Sequence, residues 1–445
     1  MTASPETSTI FALSSGRGRA GVAVIRISGA RARAALEALA GPAPPARQAA
    51  RRRLVDPESN ELLDRALVLF FAAPASFTGE DIAELHIHGG PAVLDGVISA
   101  LGRMTGLRPA EPGEFARRAF ENNKLDLTQV EGLADLIEAE TQAQARQALR
   151  QSGGGLRAAC EEWRERIIHA SSLIEAALDF SDEADVPAMI EGQARPVVEA
   201  LAASLIRHLG DARRGERLRE GLQVVLAGAP NAGKSSLLNA LSQRDAAIVS
   251  QEPGTTRDAI EVHLDLGGYP VTLIDTAGLR EAEGEVEREG VRRTLRRAVE
   301  ADLIVWLIDG VNPQWAPPDE LIAGEDALLR VFNKADLAAP DEAHDAIAIS
   351  AKTGDGLDRL TEALAARAAA LLEAGEPALV TRARQRRELE VCRDALVAFL
   401  EGAPLELELR AEDLRVAARA LGRVTGRVDV EDVLDRIFGD FCIGK

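Results

Sequence analysis

The sequence predicts a multidomain chain of mixed class, part α+β and part α/β, and three observations carry that expectation. In the middle of the chain the apolar, β-branched run LQVVLA (Leu222–Ala227) leads directly into GAPNAGKSSLLNAL, which reads as a strand, a glycine loop and a helix. Ahead of it, residues 1–120 hold short apolar strand runs and one amphipathic helix that fit neither a linker nor a nucleotide fold. On both sides of the central segment apolar residues recur at helical spacing. A chain of 445 residues accommodates about three domains.

Taken in order, GVAVIRISG, RALVLFFAAP and IAELHIHGG are the strands of the first module, and PAVLDGVISALG is its helix, with Val93, Leu94, Val97 and Leu101 along one face. From 121 to 217 the pattern turns helical: LTQVEGLADLIEAETQAQARQALRQ is interrupted at Gly153–Gly155, and a second run holds Cys160, Trp163, Ile167, Ala170 and Ile174 near helical spacing. Residues 218–374 form the α/β domain. Helices resume over 375–445, where LEVCRDALVAFLEG puts Cys392 on an apolar face. A domain whose ends lie close together is readily inserted into a host, so the α/β domain reads as an insertion into one helical domain.

Hydrophobic residues make up 46% of the chain and aromatics only 3%, so Leu, Ala, Val and Ile must fill the cores. The formal charge of −19 opposes an extended nucleic-acid footprint, because neutralising phosphates needs clustered Lys and Arg. A nucleic acid is then bound locally or through a partner. Cys160, Cys392 and Cys442 are odd in number and widely spaced with no CxxC pair, which argues against a disulfide framework or a zinc site. Cys160 and Cys392 read as small core residues. The start MTASPETSTI lacks a basic stretch followed by an apolar one, and no apolar run approaches the roughly 20 residues that cross a bilayer, so a cytoplasmic location is expected.

The chemistry is concentrated in the α/β domain. Gly228, Gly233, Lys234 and Ser235 fit G-x-x-x-x-G-K-[ST]. Across Asn231, Ala232, Gly233, Lys234, Ser235 and Ser236 the glycines let backbone N–H groups approach phosphate, Lys234 neutralises the β and γ oxygens, and the Ser235 hydroxyl ligates magnesium. The helix N-terminus adds its dipole. VTLIDTAG ends a strand at Asp275, placed to hold magnesium through water, and continues through Thr276 and Ala277 to Gly278, whose N–H can meet a γ-phosphate. LLRVFNKAD brings Asn333, Lys334 and Asp336 to another strand end, and AIAISAKTG does the same for Ser350, Ala351 and Lys352. Open α/β sheets bind ligands outside those carboxyl ends. A carboxylate such as Asp336 accepts from the N1 and 2-amino donors of guanine, a pair that adenine lacks. The loop SQEPGTTRD spans Ser250, Gln251, Glu252, Pro253, Gly254, Thr255 and Thr256, and precedes AIEVHLDL and YPVTLID, joined at Gly267–Gly268 as a hairpin. Thr255 or Thr256 can reach magnesium when a γ-phosphate is present, which makes this a switch loop. Four motifs in this order resemble those of the Ras-like P-loop GTPases, so GTP is the expected substrate and magnesium its cofactor, with Ser235 and Thr256 as ligands.

In the Ras-like arrangement a glutamine just after the third motif orients the attacking water, whereas here DTAG is followed by Leu279. The stretch REAEGEVEREG offers Arg280, Glu281, Glu283, Glu285 and Glu287, none distinguished by composition. An apolar residue after DTAG and an asparagine at the position of Asn231 are similar to a class of GTPases activated by potassium and by face-to-face pairing of G domains. That resemblance implies Asn231 as a potassium ligand, with oxygens of Ser250, Glu252 and Thr255 completing the shell. A local turn bond is the alternative role for Asn231.

SFTGEDIAELHIHGG, RPAEPGEFARRAFENNKLDLTQVEGLADLI, the inserted GTPase and the terminal FCIGK together resemble the MnmE (TrmE) tRNA modification GTPase family over the whole chain. The resemblance implies an N-terminal module (1–120) that dimerises and binds 5-formyl-tetrahydrofolate or a related folate. It implies a homodimer joined to an FAD-containing MnmG protein in a heterotetramer or larger complex. That complex installs an aminomethyl or carboxymethylaminomethyl group at carbon 5 of the wobble uridine in certain tRNAs. Matching motif to motif gives Arg26, Glu84, Lys124 and Lys445 as folate-binding residues, Glu287 as the residue that positions hydrolytic water, and Cys442 as the cysteine serving modification. Arginine and lysine suit the carboxylates of a folate, and Glu84 can accept from a pterin N–H edge; Arg26 and Glu84 could instead be strand charges and Cys442 a packed thiol. Arg19 stands where relatives often have glycine, and the loop before GTTRD differs slightly. A second reading, a potassium-dependent GTPase serving ribosome assembly, calls for a KH-like GXXG loop or a basic tail, and the sequence has neither.

Overall fold

The computed structural model describes residues 8–16, 18–179, 186–244, 248, 261–275, 301–318, 327–339, 345–373, 376–402, 407–428, 434, 437–439, 441 and 444. The chain divides into two compact units, residues 1–134 with 422–445, and residues 135–421.

The first unit contains β1 (Thr9–Leu13), β2 (Ala20–Ser28), α1 (Ala32–Ala40), β3 (Ala50–Val55), β4 (Leu62–Phe71), β5 (Ile82–Gly89), α2 (Pro91–Arg103), β6 (Leu107–Pro109) and α3 (Glu114–Glu121), followed by α4 (Leu127–Glu138). Its six strands lie in the order β3-β4-β5-β2-β1-β6 and pair antiparallel except for β1 with β6. Alternation in the sequence produces a one-sided core. Ile25, Ile27, Val68, Phe70, Leu85 and Ile87 bury against Leu36 and Leu39 of α1 and Val97 and Leu101 of α2. The opposite face carries Arg26, Leu67, Glu84 and His86. On that side Phe115 of α3 and Phe77 pack on Ile10 and Ala12.

The end of the chain returns to this unit. Phe438 and Phe441 bury with Ala116 and Val130, and the Ser14 hydroxyl donates to the Gly444 carbonyl at 2.8 Å. Gly113 has φ 66°, and a Cβ there would lie 2.6 Å from the Phe438 carbonyl oxygen, so only glycine lets the two segments approach. The sequence reading takes 375–445 as the second part of the helical domain with a C-terminal FCIGK tail, and Phe441 opens that tail. Cys442 and Lys445 themselves lie outside the described residues.

The second unit holds α5 (Gln142–Ser152), α6 (Gly155–Asp179), α7 (Val186–Gly210) and α8 (Ala212–Glu220), then β7 (Leu222–Gly228), α9 (Lys234–Ser242), β8 (Glu261–Leu266), β9 (Tyr269–Asp275), β10 (Leu303–Asp309), β11 (Leu328–Asn333), β12 (Ile347–Ala348) and α10 (Leu357–Leu372), and after them α11 (Ala383–Glu401) and α12 (Leu407–Thr425). The strand order is β12-β11-β10-β7-β9-β8, parallel throughout except for the β8–β9 hairpin. Both faces are buried, which is why these strands read as continuous apolar runs: Val224, Leu226, Val305 and Leu307 fill one core, and Val225, Ala227, Ile304 and Trp306 the other. On α6 the stripe Cys160, Trp163, Ile167, Ala170 and Ile174 is buried as its spacing predicts.

One carboxylate ties the two ends of the inserted domain together. Asp135 Oδ1 accepts from Arg219 Nε at 2.8 Å, just before β7, and from Arg382 Nη2 at 2.6 Å, just before α11. Gln147 Nε2 donates to the Gly215 carbonyl at 3.0 Å and Gln151 Nε2 to the Leu379 carbonyl. The chain leaves and rejoins the helices at adjacent points, the geometry an insertion requires.

Candidate nucleotide site

Beyond the carboxyl ends of the parallel strands, residues distant in sequence converge. The loop after β7 turns on Gly228 (φ 154°), Asn231 (φ 64°) and Gly233 (φ 95°), all in the left-handed half of backbone space. A Cβ on Gly228 would strike the Leu307 carbonyl oxygen, and one on Gly233 the Asn333 amide nitrogen, so packing as well as φ demands glycine at both. Gly233 is the N-cap of α9, which aims the first N–H groups of the helix into the loop. Lys234 Nζ donates to the carbonyls of Gly228 and Ala229 at 2.8 and 3.0 Å, holding its ammonium over the loop backbone.

Ser235 Oγ donates to Asp275 Oδ2 at 2.8 Å, bringing together two of the three groups proposed from sequence for magnesium. A hydroxyl and a carboxylate are hard oxygen donors, and such a pair suits an ion that keeps several waters and takes the rest of its shell from phosphate. Among the described residues no cluster of three or more His, Cys, Asp or Glu forms a metal cage.

Asn333 links two loops: its Nδ2 donates to the Ala232 carbonyl at 2.7 Å, and its Oδ1 accepts from the Ala351 N–H at 3.0 Å. It tethers the loop after β7 to the loop after β12. Ser350 Oγ donates to Asp336 Oδ1 at 2.7 Å, which orients that carboxylate, while Lys352 and Asp336 are exposed. Lys334 adopts φ 64° and donates from Nζ to Asp309 Oδ2 at 2.7 Å. Burial raises the Asp309 carboxyl, but the Lys334 and Val311 hydrogen bonds and the Lys334 charge outweigh it and hold the group below the usual range. Asp309 is the residue that sequence reasoning missed. Its signal was present in LIVWLIDG, an apolar strand closing on an acid as VTLID does.

Ser250, Gln251, Glu252, Pro253, Gly254, Thr255, Thr256, Thr276, Ala277, Gly278 and Glu287 lie outside the described residues. In the first unit, Arg26 and Glu84 are register partners on β2 and β5. Arg26 Nε and Nη2 reach Glu84 Oε1 at 3.1 and 3.0 Å, with the guanidinium over the Phe77 and Phe115 rings at 5.6 and 5.8 Å. Lys124 Nζ donates to the Pro74 carbonyl at 3.0 Å.

Comparison with known proteins matches residues 9–124 to the GTP-binding protein TrmE N-terminus and residues 127–442 to the MnmE helical domain. The chain belongs to the MnmE family. The tRNA modification GTPase MnmE of Parvibaculum lavamentivorans is 57% identical, with 98% of this chain and 100% of that protein covered. The protein of the same name from Rhodospirillum rubrum is 55% identical over 98% of this chain and 99% of its own length. Among solved structures, the G domain of the T. maritima FeoB iron transporter is 26% identical, covering 33% of this chain and 98% of that one, at a TM-score of 0.24. The two matched segments and the relatives cover essentially the full chain, and its fold is the mixed α+β and α/β class expected from the sequence. Among the described residues no helix is long and apolar enough to cross a membrane.

Proposed function

We propose that the chain hydrolyses GTP at the loop ends of the inserted sheet with potassium stimulation, and that this cycle serves modification of the wobble uridine at carbon 5 in certain tRNAs. It is an enzyme, a tRNA modification GTPase of the MnmE family. The convergence of Lys234, Ser235 and Asp275 on one loop supports the reading most directly.

In this mechanism the amides of residues 231–236 and the Lys234 ammonium bind the β and γ phosphates. Ser235 and Thr256 would ligate magnesium directly and Asp275 through water; bound there, the ion supplies neutralisation of charge on the bridging and γ oxygens. Asp336, with one oxygen held by Ser350, turns the other to the guanine edge. Asn333, Lys334, Ala351 and Lys352 complete the base side. Residues 250–256 and 275–278 would sense the γ-phosphate, and Glu287 would position the hydrolytic water. Asn231, with Ser250, Glu252 and Thr255, would hold potassium, adding positive charge where the transition state needs it.

The N-terminal unit takes a tetrahydrofolate one-carbon unit on Arg26, Glu84, Lys124 and Lys445. The Arg26–Glu84 pair supports that assignment by setting a guanidinium donor and a carboxylate acceptor side by side on one sheet face. Cys442 serves the modification chemistry. The chain acts in the cytoplasm as a homodimer with an FAD-containing MnmG partner. The test is GTP turnover by the purified chain in potassium and in sodium at matched ionic strength, with Asn231→Ala alongside. Strong potassium dependence that the substitution removes is the expected result; equal rates in both salts would overturn the cation assignment.

A further inference from the structure

The open face of the N-terminal sheet carries a second chemistry that the nucleotide site does not use. β3, the edge strand, reads ARRRLV. Leu54 lies in the core, so strand alternation puts Arg51 and Arg53 on the other face, and both are exposed. Cross-strand register sets Arg51 opposite Leu67 and Arg53 opposite Arg65. Leu67 stands opposite His86 on β5, and continuing that register along the same face sets Arg65 beside His88. Two rows result, Arg51–Leu67–His86 and Arg53–Arg65–His88.

The carboxylates near these rows are engaged elsewhere: Glu84 with Arg26 and His86, and Asp64 with His88 at 2.7 Å. Among the described residues no carboxylate pairs with the guanidinium group of Arg51, Arg53 or Arg65, and Asp64 meets Arg65 only at its backbone N–H. Charges on an edge strand are a common guard against edge-to-edge aggregation, and that would account for Arg51 and Arg53. It does not account for Arg65, which lies one strand further in and directly opposite a like charge, an arrangement that weakens a sheet. On a chain of net charge −19 this face is a local exception, and an anionic occupant would relieve the repulsion it contains.

We propose that the Arg51–Arg53–Arg65 cluster is a phosphate-contacting surface for tRNA. The proposal rests on reading the chain as a tRNA modification enzyme. Alternate residues of one strand face lie about 7 Å apart, so Arg51 and Arg53 can each take a separate phosphate, and guanidinium binds phosphate oxygens in a bidentate fork. Arginine on a rigid sheet meets a backbone shape without reading sequence, which suits an enzyme acting on several tRNAs.

The experiment uses the full chain. Labelled tRNA is titrated at several potassium chloride concentrations against the wild type, an Arg51→Ala/Arg53→Ala/Arg65→Ala variant and the same triple set changed to Lys, with GTP turnover and oligomeric state followed in parallel. The alanine variant is expected to lower the slope of log affinity against log salt by about 0.7–0.9 for each phosphate no longer neutralised, roughly 2 to 3 in all. The lysine variant should keep most of that slope, and GTP turnover should be unchanged in both. Should the triple alanine variant not fold, Arg65→Gln alone is expected to fold and to lower the slope by about 0.7–0.9. Unchanged affinity and slope alongside normal GTP turnover would overturn the surface and leave the proposed function standing. A wild type that turns over no GTP counts against the function instead, since the binding slopes are read independently. Conversion of a dimer to monomers by the substitutions, with tRNA slope intact, would overturn the proposal by making this face a self-contact.

Discussion

The sheet of the inserted domain runs parallel except for one hairpin and is covered on both faces, so its chemistry gathers in loops beyond the strand ends. The N-terminal sheet is antiparallel except for one pair, with α1 and α2 over one face and α3 packed on β1 of the other, so polar residues meet across that second face by strand register. The difference decides how far apart in sequence cooperating residues can be. In the parallel sheet every crossover returns to the same end, and Ala232, Asn333 and Ala351 meet through a single amide side chain. In the antiparallel sheet, contacts such as Arg26 with Glu84 depend on two strands keeping step. A one-residue slip would send every one of those side chains to the other face.

The comparison is broken most strongly at Lys234. Lys234→Ala removes the ammonium held over the loop after β7, and GTP turnover should fall by at least about 10²-fold, while the N-terminal unit keeps its fold. Steady-state turnover beside circular dichroism checks this. Loss of turnover together with loss of native circular dichroism would mean that the two sheets are not independent.

A smaller effect sharpens the other side. Glu114 is buried in the N-terminal unit and accepts from Arg108 at 2.8 and 2.6 Å and from Arg118 at 2.9 Å. Burial raises its carboxyl, but Arg108, the Glu111 N–H and Arg118 outweigh that and place it below the ordinary 4.5. A depressed folded value contributes stability that is fully present above about 4.5 and drains away as pH falls through the lowered value. Glu114→Gln should therefore cost about 3 kcal/mol near neutrality and flatten the acid limb of unfolding. Urea melts from pH 7 to pH 3 measure both, and an unaltered acid limb would exclude this network as its source.

The smallest expected effect is none. Burial pushes the Cys392 thiol up to about 12, so alkylation at pH 8 should leave it intact in the native protein and modify it only after unfolding. Native labelling would show that α11 opens more readily than its packing implies.

Much of this was legible in the residues. The phosphate loop, the acids at strand ends and the helical stripe of Cys160, Trp163 and Ile167 follow from local spacing, because each depends on neighbours within one element. The MnmE resemblance likewise rests on contiguous motifs. Asp309 escaped because its importance comes from Lys334 reaching across from the adjacent strand end. The return of Phe438 and Phe441 to Ala116 and Val130 escaped for the same kind of reason.

What the sequence determined by itself is therefore local: strand and helix identity, the glycines that permit left-handed turns, and the chemical type of each loop. Tertiary structure decided which side chains touch one another. It made Asn333 a tether, joined Ser235 to Asp275, tied Arg219 and Arg382 to Asp135, and set Arg53 against Arg65. Hydrogen bonds and ion pairs act over a few ångströms in space whatever the distance along the chain, and only the folded register brings such groups within that range.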